Sequence, residues 1–354
     1  MDFIKINSEI KVEDVKAKKD AKAHWDGIAK PLDGLGDLES YIIKIAALTG
    51  SENVNIDKKA VLVLCADNGV ICEGVTQTDA SVTAIQAKNI SLRKTSVCLM
   101  STVVGADPIP VDMGMLSPVP GVRDCRCGNG TDNLAVGPAM SREQAEKAIA
   151  HGIELVKELK EKGYQIIATG EMGIGNTTTS SACASVLLSL PVEEVTGRGA
   201  GLSDEGLVKK ISAIKRGIEI NKPDRDDPLD VLCKLGGFDI AGMVGVYLGG
   251  AMHRVPIIID GLISSIAALI AARLCPKASL CMIASHCSAE PAAIAILKEL
   301  GVKAIISAGL KLGEGTGAVC MMPILDMALR VYNGSVAFNE TGIDQYTVQD
   351  GDNR

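Results

Sequence analysis

Aromatic side chains are scarce in this chain: three Phe, one Trp and five Tyr are 3% of 354 residues, although 47% of the chain is hydrophobic. Its core must be built from Ala, Val, Ile, Leu and Met, which suits helices packed on a parallel sheet. Long apolar runs are also missing. No segment reads as a membrane span, and the opening MDFIKINSEIKVEDVKAKKDAKAHW is charged throughout, without the apolar stretch of a secretory signal. The expected location is the cytoplasm. Basic runs are absent and the formal net charge is −7. A nucleic-acid surface needs clustered Lys and Arg to neutralise phosphates, so small molecules are the expected partners. Only four histidines occur, at 24, 151, 253 and 286, and Cys125-Arg126-Cys127 has no second close Cys or His pair, so no metal ion is called for. The eleven cysteines are scattered. Cys65, Cys98, Cys183, Cys281 and Cys320 sit in apolar runs, where a thiol packs as a small hydrophobe rather than as half a disulfide.

What the sequence does contain is alternation. Short β-branched apolar runs recur between helix-like segments, as in a parallel sheet covered on both faces. Six candidate strands follow: Ala60 to Asp67, Ile109 to Met113, Gln165 to Thr169, Val255 to Asp260, Leu280 to Ser285 and Ala304 to Ala308. Each ends in polar or Gly-containing sequence, and ligands of open parallel sheets bind outside the carboxyl ends of the strands. Residues 51–325 form the expected α/β domain. Residues 1–50 and 326–354 read as helices not interleaved with strands, a small helical part built from both termini, with 342–354 as a frayed tail.

Three of the loops carry candidate chemistry. The run Gly170-Glu171-Met172-Gly173-Ile174-Gly175-Asn176-Thr177 opens a helix-like segment, where Gly permits close backbone approach and free N–H groups attract an anion. An ordinary capped turn would look the same. Gly197-Arg198-Gly199-Ala200-Gly201 precedes a helix bearing Lys209 and Lys210, cations that could close over a phosphate or simply line an exposed face. Leu312-Gly313-Glu314-Gly315 sets one carboxylate between glycines after the last candidate strand, where partial desolvation would make it a usable general base. Asp67 and Asp260 end candidate strands and could bind ribose hydroxyls or cap helices. Ser285 to Glu290 holds Ser, His and Glu in one loop without a nucleophile elbow, so these groups read as ligand hydrogen bonders or caps. The GxGxxG fingerprint of a nucleotide-binding oxidoreductase is absent after the first strand.

Taken together these segments resemble the nicotinate-nucleotide:dimethylbenzimidazole phosphoribosyltransferase family. The resemblance starts at Pro31-Leu32-Asp33-Gly34-Leu35-Gly36-Asp37-Leu38-Glu39 and runs in family order through Ala66-Asp67-Asn68-Gly69-Val70, Glu73-Gly74-Val75, the Gly170 and Gly197 loops, Gly236-Gly237-Phe238-Asp239, Asp260-Gly261, Ser285 to Glu290 and Gly313-Glu314-Gly315. It implies a Rossmann-like, mostly parallel sheet flanked by helices, with a small helical domain from the two termini. The implied reaction moves the ribose phosphate of nicotinate mononucleotide to dimethylbenzimidazole or a related lower-ligand base of cobalamin, by direct displacement with inversion at C1′. No cofactor is implied. Glu314 is the implied catalytic base, with Glu171 as a second carboxylate. Gly175, Asn176, Thr177, Gly199, Lys210, Asp260, Ser288, Leu312 and Gly313 should form the nucleotide pocket, and Thr78, Gln86 and Met172 should face the acceptor. A homodimer is the implied assembly. Asn68 stands where the family usually has His, and Asp33, Thr78 and Asp79 also depart from its pattern. The alternatives are a phenolic or purine acceptor and a paralogous partner subunit.

Overall fold

The computed structural model describes residues 1–347; residues 348–354, the end of the expected tail, lie outside them. Six strands, β1 (Lys59–Ala66), β2 (Ala106–Gly114), β3 (Arg123–Asp124), β4 (Ile166–Met172), β5 (Ile257–Ile259) and β6 (Met282–Ala284), form one sheet in the order β3-β2-β1-β4-β5-β6. Every pairing is parallel. All eight residues of β1 are buried. Ala60, Leu62, Leu64 and Ala66 enter the core on one face of the sheet, and Val61, Val63 and Cys65 enter the core on the other. This is the two-residue period of a strand covered on both sides, and it explains the continuous apolar run.

The first face is covered mainly by helices Arg142–Glu161, Phe238–His253 and Leu262–Leu274. Small residues let the first two come close: a Cβ on Gly245 would fall 2.9 Å from Gly152 Cα and overlap the Ile149 carbonyl. Backbone contact thus replaces the bulk that aromatic rings would supply. On the second face lie helices Asp37–Thr49, Ser96–Val104 and Thr316–Gly334. There Trp25 is fully buried, its ring edge-on to Tyr332 at 4.9 Å, and Ile28 bridges to Ala337, so segments from the two ends of the sequence meet. Among the described residues no helix is long and apolar enough to cross a membrane.

Ala304 to Ala308 is not a sheet strand. Only Ile306 makes a bridge, to His286, and the segment stays half-exposed because no layer covers its outer side. In its place the sheet gains the exposed two-residue edge strand β3, which carries no apolar signal. β4 also runs three residues past Thr169, making Gly170, Glu171 and Met172 its carboxyl end. The chain moves outward from β1 through β2 to β3, then returns to place β4 on the other side of β1. The crevice at the carboxyl ends of β1 and β4 is therefore the topological switch point, where open α/β sheets bind ligands.

Replacing Gly245 by Ala should destabilise the chain by about 1–3 kcal/mol, the usual cost of overpacking a tight core, read from urea unfolding. An unchanged midpoint would show that the helices can part freely.

Candidate active site

A cavity of about 440 Å³ opens at this switch point, walled by the carboxyl ends of β4 and β5 and by the loops that follow β1, β4, β5 and β6. One end carries a helix N-terminus and a buried lysine. Gly175, in the left-handed region at φ 93°, caps helix Asn176–Leu188, whose first residues Asn176 and Thr177 line the cavity at the positive end of the helix dipole. Lys210 lies behind this turn, fully buried, donating to Thr177 Oγ1 at 2.8 Å and to the Gly197 carbonyl at 3.0 Å. Burial pushes its ammonium down to about 8, against the opposing charge of Glu290. Gly199, Ser288 and Glu290 line the same cavity, and among the described residues Glu290 Oε2 has no hydrogen-bond partner.

Glu314 sits in a left-handed turn with its neighbours: Gly313, Glu314 and Gly315 have φ of 86°, 60° and 89°. A non-glycine residue held there costs about 1–3 kcal/mol and persists only where its surroundings impose it. Two contacts do so. Asp260, at the end of β5, accepts from Gly315 N at 3.3 Å and Ala318 N at 2.9 Å, capping helix Thr316–Gly334 just beyond the turn. Gly170 lies beneath, where a Cβ would come within 2.5 Å of the Glu314 carbonyl. The Glu314 side chain points into the cavity, and its Oε2 is 3.5 Å from Val97 N. Burial raises its carboxyl above the ordinary range, opposed by hydrogen bonds from Val97 and Thr95.

Glu171, Asp239, Asp260 and Glu314 form a buried acidic group. Asn176 donates through Nδ2 to Glu171 Oε2 and, at 2.9 Å, to Asp239 Oδ2. Burial pushes the Glu171 carboxyl up to about 8; the Asn176 bond opposes this, and the charges of Asp239, Asp260 and Glu314 add to it. Burial likewise lifts Asp239 to about 6. Asp260 is raised by burial and lowered by His286, whose ring packs on Gly317 and whose Nδ1 is 3.1 Å from Ser285 Oγ. Among the described residues no three His, Cys, Asp or Glu side chains converge to hold a metal ion.

The chain matches the family described as Phosphoribosyltransferase over residues 10–343. It is 44% identical to a nicotinate-nucleotide–dimethylbenzimidazole phosphoribosyltransferase from Acetivibrio thermocellus, over 92% of this chain and 93% of that protein. A protein of the same name from Ruminiclostridium cellulolyticum is 42% identical, over 98% and 99% of the two chains. The fold matches the crystal structure of the protein so named from Thermus thermophilus with a TM-score of 0.87 and 33% identity, over 94% of this chain and all of that one. The chain belongs to the nicotinate-nucleotide:dimethylbenzimidazole phosphoribosyltransferase family.

Within this phosphoribosyltransferase the cavity brings together Glu314, Glu171, Gly175, Asn176, Thr177, Gly199, Asp260, Ser288, Leu312 and Gly313 with Thr78, Gln86 and Met172. Lys210 alone of the expected residues stands behind the wall, while Lys209 is exposed. Three features escaped the sequence. His286 and Glu290, read in the sequence as ligand hydrogen bonders or caps but not given a place in the nucleotide pocket, line the cavity. Thr95 and Val97 contact Glu314 from a segment with no motif. Asp239 reaches Glu171 through Asn176, and its only signal was the Gly236-Gly237-Phe238-Asp239 run.

Glu171 and Asp239 hold their protons more tightly in the folded chain than unfolded. Their penalty is absent below the unfolded carboxylate range, grows as pH rises, and is complete above about pH 8. Stability should therefore fall across that window. Glu171→Gln keeps an oxygen for Asn176 but removes the charge, so it should lose on the order of 1–3 kcal/mol less than wild type between about pH 5 and 8.5. Urea unfolding at a series of pH values measures this, and parallel pH curves for the two proteins would contradict it.

Proposed function

We propose that this chain transfers the ribose phosphate of nicotinate mononucleotide to dimethylbenzimidazole or a related lower-ligand base, releasing nicotinate and giving an α-ribosyl phosphate nucleotide. The observation that carries this is one cavity holding both an anion-binding end and a buried, strained carboxylate, Glu314, beside the segment from Thr78 to Ser96. The phosphate belongs at the N-terminus of helix Asn176–Leu188, with Thr177, Gly199, Ser288 and the Lys210 charge behind it. Leu312, Gly313 and Asp260 flank the ribose. The acceptor lies against Thr78, Gln86 and Met172, next to the Glu314 carboxylate, which is itself anchored at Val97.

In the donor the leaving group is a pyridinium, so it departs with the electron pair of its bond to C1′ and needs no acid. The acceptor nitrogen attacks C1′ from the opposite face, which inverts the configuration. As the new bond forms, the azole's other nitrogen gives its proton to Glu314, whose carboxylate is made more basic by burial. The acidic walls stabilise positive charge developing on the ribose. The assembly proposed is a homodimer in the cytoplasm.

Purified chain incubated with nicotinate mononucleotide and an equimolar mixture of dimethylbenzimidazole, benzimidazole, adenine and p-cresol tests the proposal by mass spectrometry of the products. A dominant benzimidazole nucleotide is expected. A phenolic or purine product would replace the acceptor, turnover only with a paralogous subunit would replace the homodimer, and no product under either condition would overturn the transferase. Glu314→Gln should lower kcat by on the order of a hundredfold with nucleotide affinity nearly unchanged; undiminished turnover removes Glu314 from the role.

A further inference from the structure

Behind the cavity wall, Asp239 is fully buried and faces no cation among the described residues. We infer that Asp239 is a positioning residue: acting through Asn176, it carries the negative charge of the pair it forms with Glu171 and leaves the proton on the Glu171 oxygen that faces the cavity. Glu171 then enters the reaction as a neutral hydrogen-bond donor rather than as a second anion beside Glu314. The inference rests on the proposed reading of the cavity, which Glu171 lines, as the site of transfer.

The geometry gives the two carboxyls unequal support. Both hydrogen bonds of the Asn176 amide run to carboxyl oxygens, so its nitrogen must be the shared donor and its orientation has no alternative. Asp239 has a second donor, Ile240 N at 2.9 Å from Oδ1, and sits in the first turn of helix Phe238–His253, where the helix dipole favours an anion. Among the described residues Glu171 accepts only the Asn176 bond, on Oε2. Its other oxygen, Oε1, points at Gly313, where a Cβ would come within 2.5 Å, and is the one left to carry a proton. Gly237 and Gly173 leave room for the Asp239 carboxyl beside Asn176: Cβ atoms there would lie 2.5 Å from Oδ1 and 2.8 Å from Oδ2. The titratable groups facing the pair, Asp260 and Glu314 towards Glu171 and Asp67 and the Cys65 thiol towards Asp239, are all acidic. His286 acts on Asp260 electrostatically, lowering its carboxyl. Burial with this ordering leaves Glu171 the later of the two to ionise.

The test is infrared difference spectroscopy of the whole chain from about pH 5 to about pH 9, with Glu171→Gln assigning the band. In wild type the carbonyl band of a protonated acid should persist at neutral pH, vanish above about pH 8 and be missing from Glu171→Gln. In Asp239→Asn its midpoint should drop by about one pH unit or more, and the matching limb of kcat/KM should move with it. A merely structural Asp239 would lower activity and leave both midpoints in place. The inference is overturned if wild type lacks the band at neutral pH, or if folded Asp239→Asn titrates like wild type. Should Asp239→Asn fail to fold, Asn176→Ser, which severs the link, should shift the band, and an unshifted band there also overturns it. A band with no turnover on nicotinate mononucleotide would remove the transferase role and leave the proton arrangement standing.

Discussion

Asp260 stops β5 and reaches across the cavity floor to the last long helix, accepting from the backbone N–H groups of Gly315 and Ala318. Those donors have no partner within their own helix, since they belong to its first turn, and the carboxylate meets both the hydrogen-bonding need and the positive end of the dipole. The strained turn from Gly313 to Gly315 is thereby tied to the sheet. Everything said of Glu314 depends on this, because a loop free to relax would leave the left-handed region and carry the carboxylate out of the cavity. The same contact explains why a residue 54 positions earlier in the sequence governs the proposed base without lying beside it in the chain.

The electrostatic cost of this arrangement is large. Glu171, Asp239, Asp260 and Glu314 are crowded into a desolvated space with Asn176 and His286 as their polar company, and burial raises all four carboxyls. A fold selected for stability alone would replace several of them with apolar residues of similar size. The proposed reaction, with a pyridinium leaving group and a ribose gaining positive charge, gives the ionised ones a use, since an anion beside that charge favours the transition state. Lys210 counterbalances at the other end, too far behind the wall to neutralise the acids and close enough to Thr177 to place charge under an anion.

How much of this could be read beforehand follows from where each signal resides. β1 was legible because burial on both faces writes a continuous apolar run into the sequence, and β4 only as far as its apolar start reaches. β3 was not, being two exposed residues held only by backbone pairing to β2. Ala304 to Ala308 misled because it is as apolar as a strand, yet at the margin of the sheet nothing covers it. The glycine loops were legible for a local reason: Gly175, Gly313 and Gly315 occupy left-handed conformations that the residue type itself permits. Thr95 and Val97 act only through contacts between elements remote in sequence, and no local pattern marks them, while the run ending in Asp239 gave no sign of its contact with Asn176.

The shortage of aromatic residues and the shape of the site belong to one constraint. With few rings to fill space, the helices approach until backbone meets backbone, as Gly152 and Gly245 show. The same economy operates at the switch point, where Gly170 lies under Glu314, Gly173 against Asp239 and Gly317 against His286, each where a methyl group would collide. Close approach there lets the N-termini of helices Asn176–Leu188, Phe238–His253 and Thr316–Gly334 converge on one region. Three converging positive ends are what make a cluster of buried carboxylates tolerable, so the glycines that look like mere loop punctuation are the means by which the acidic site can exist.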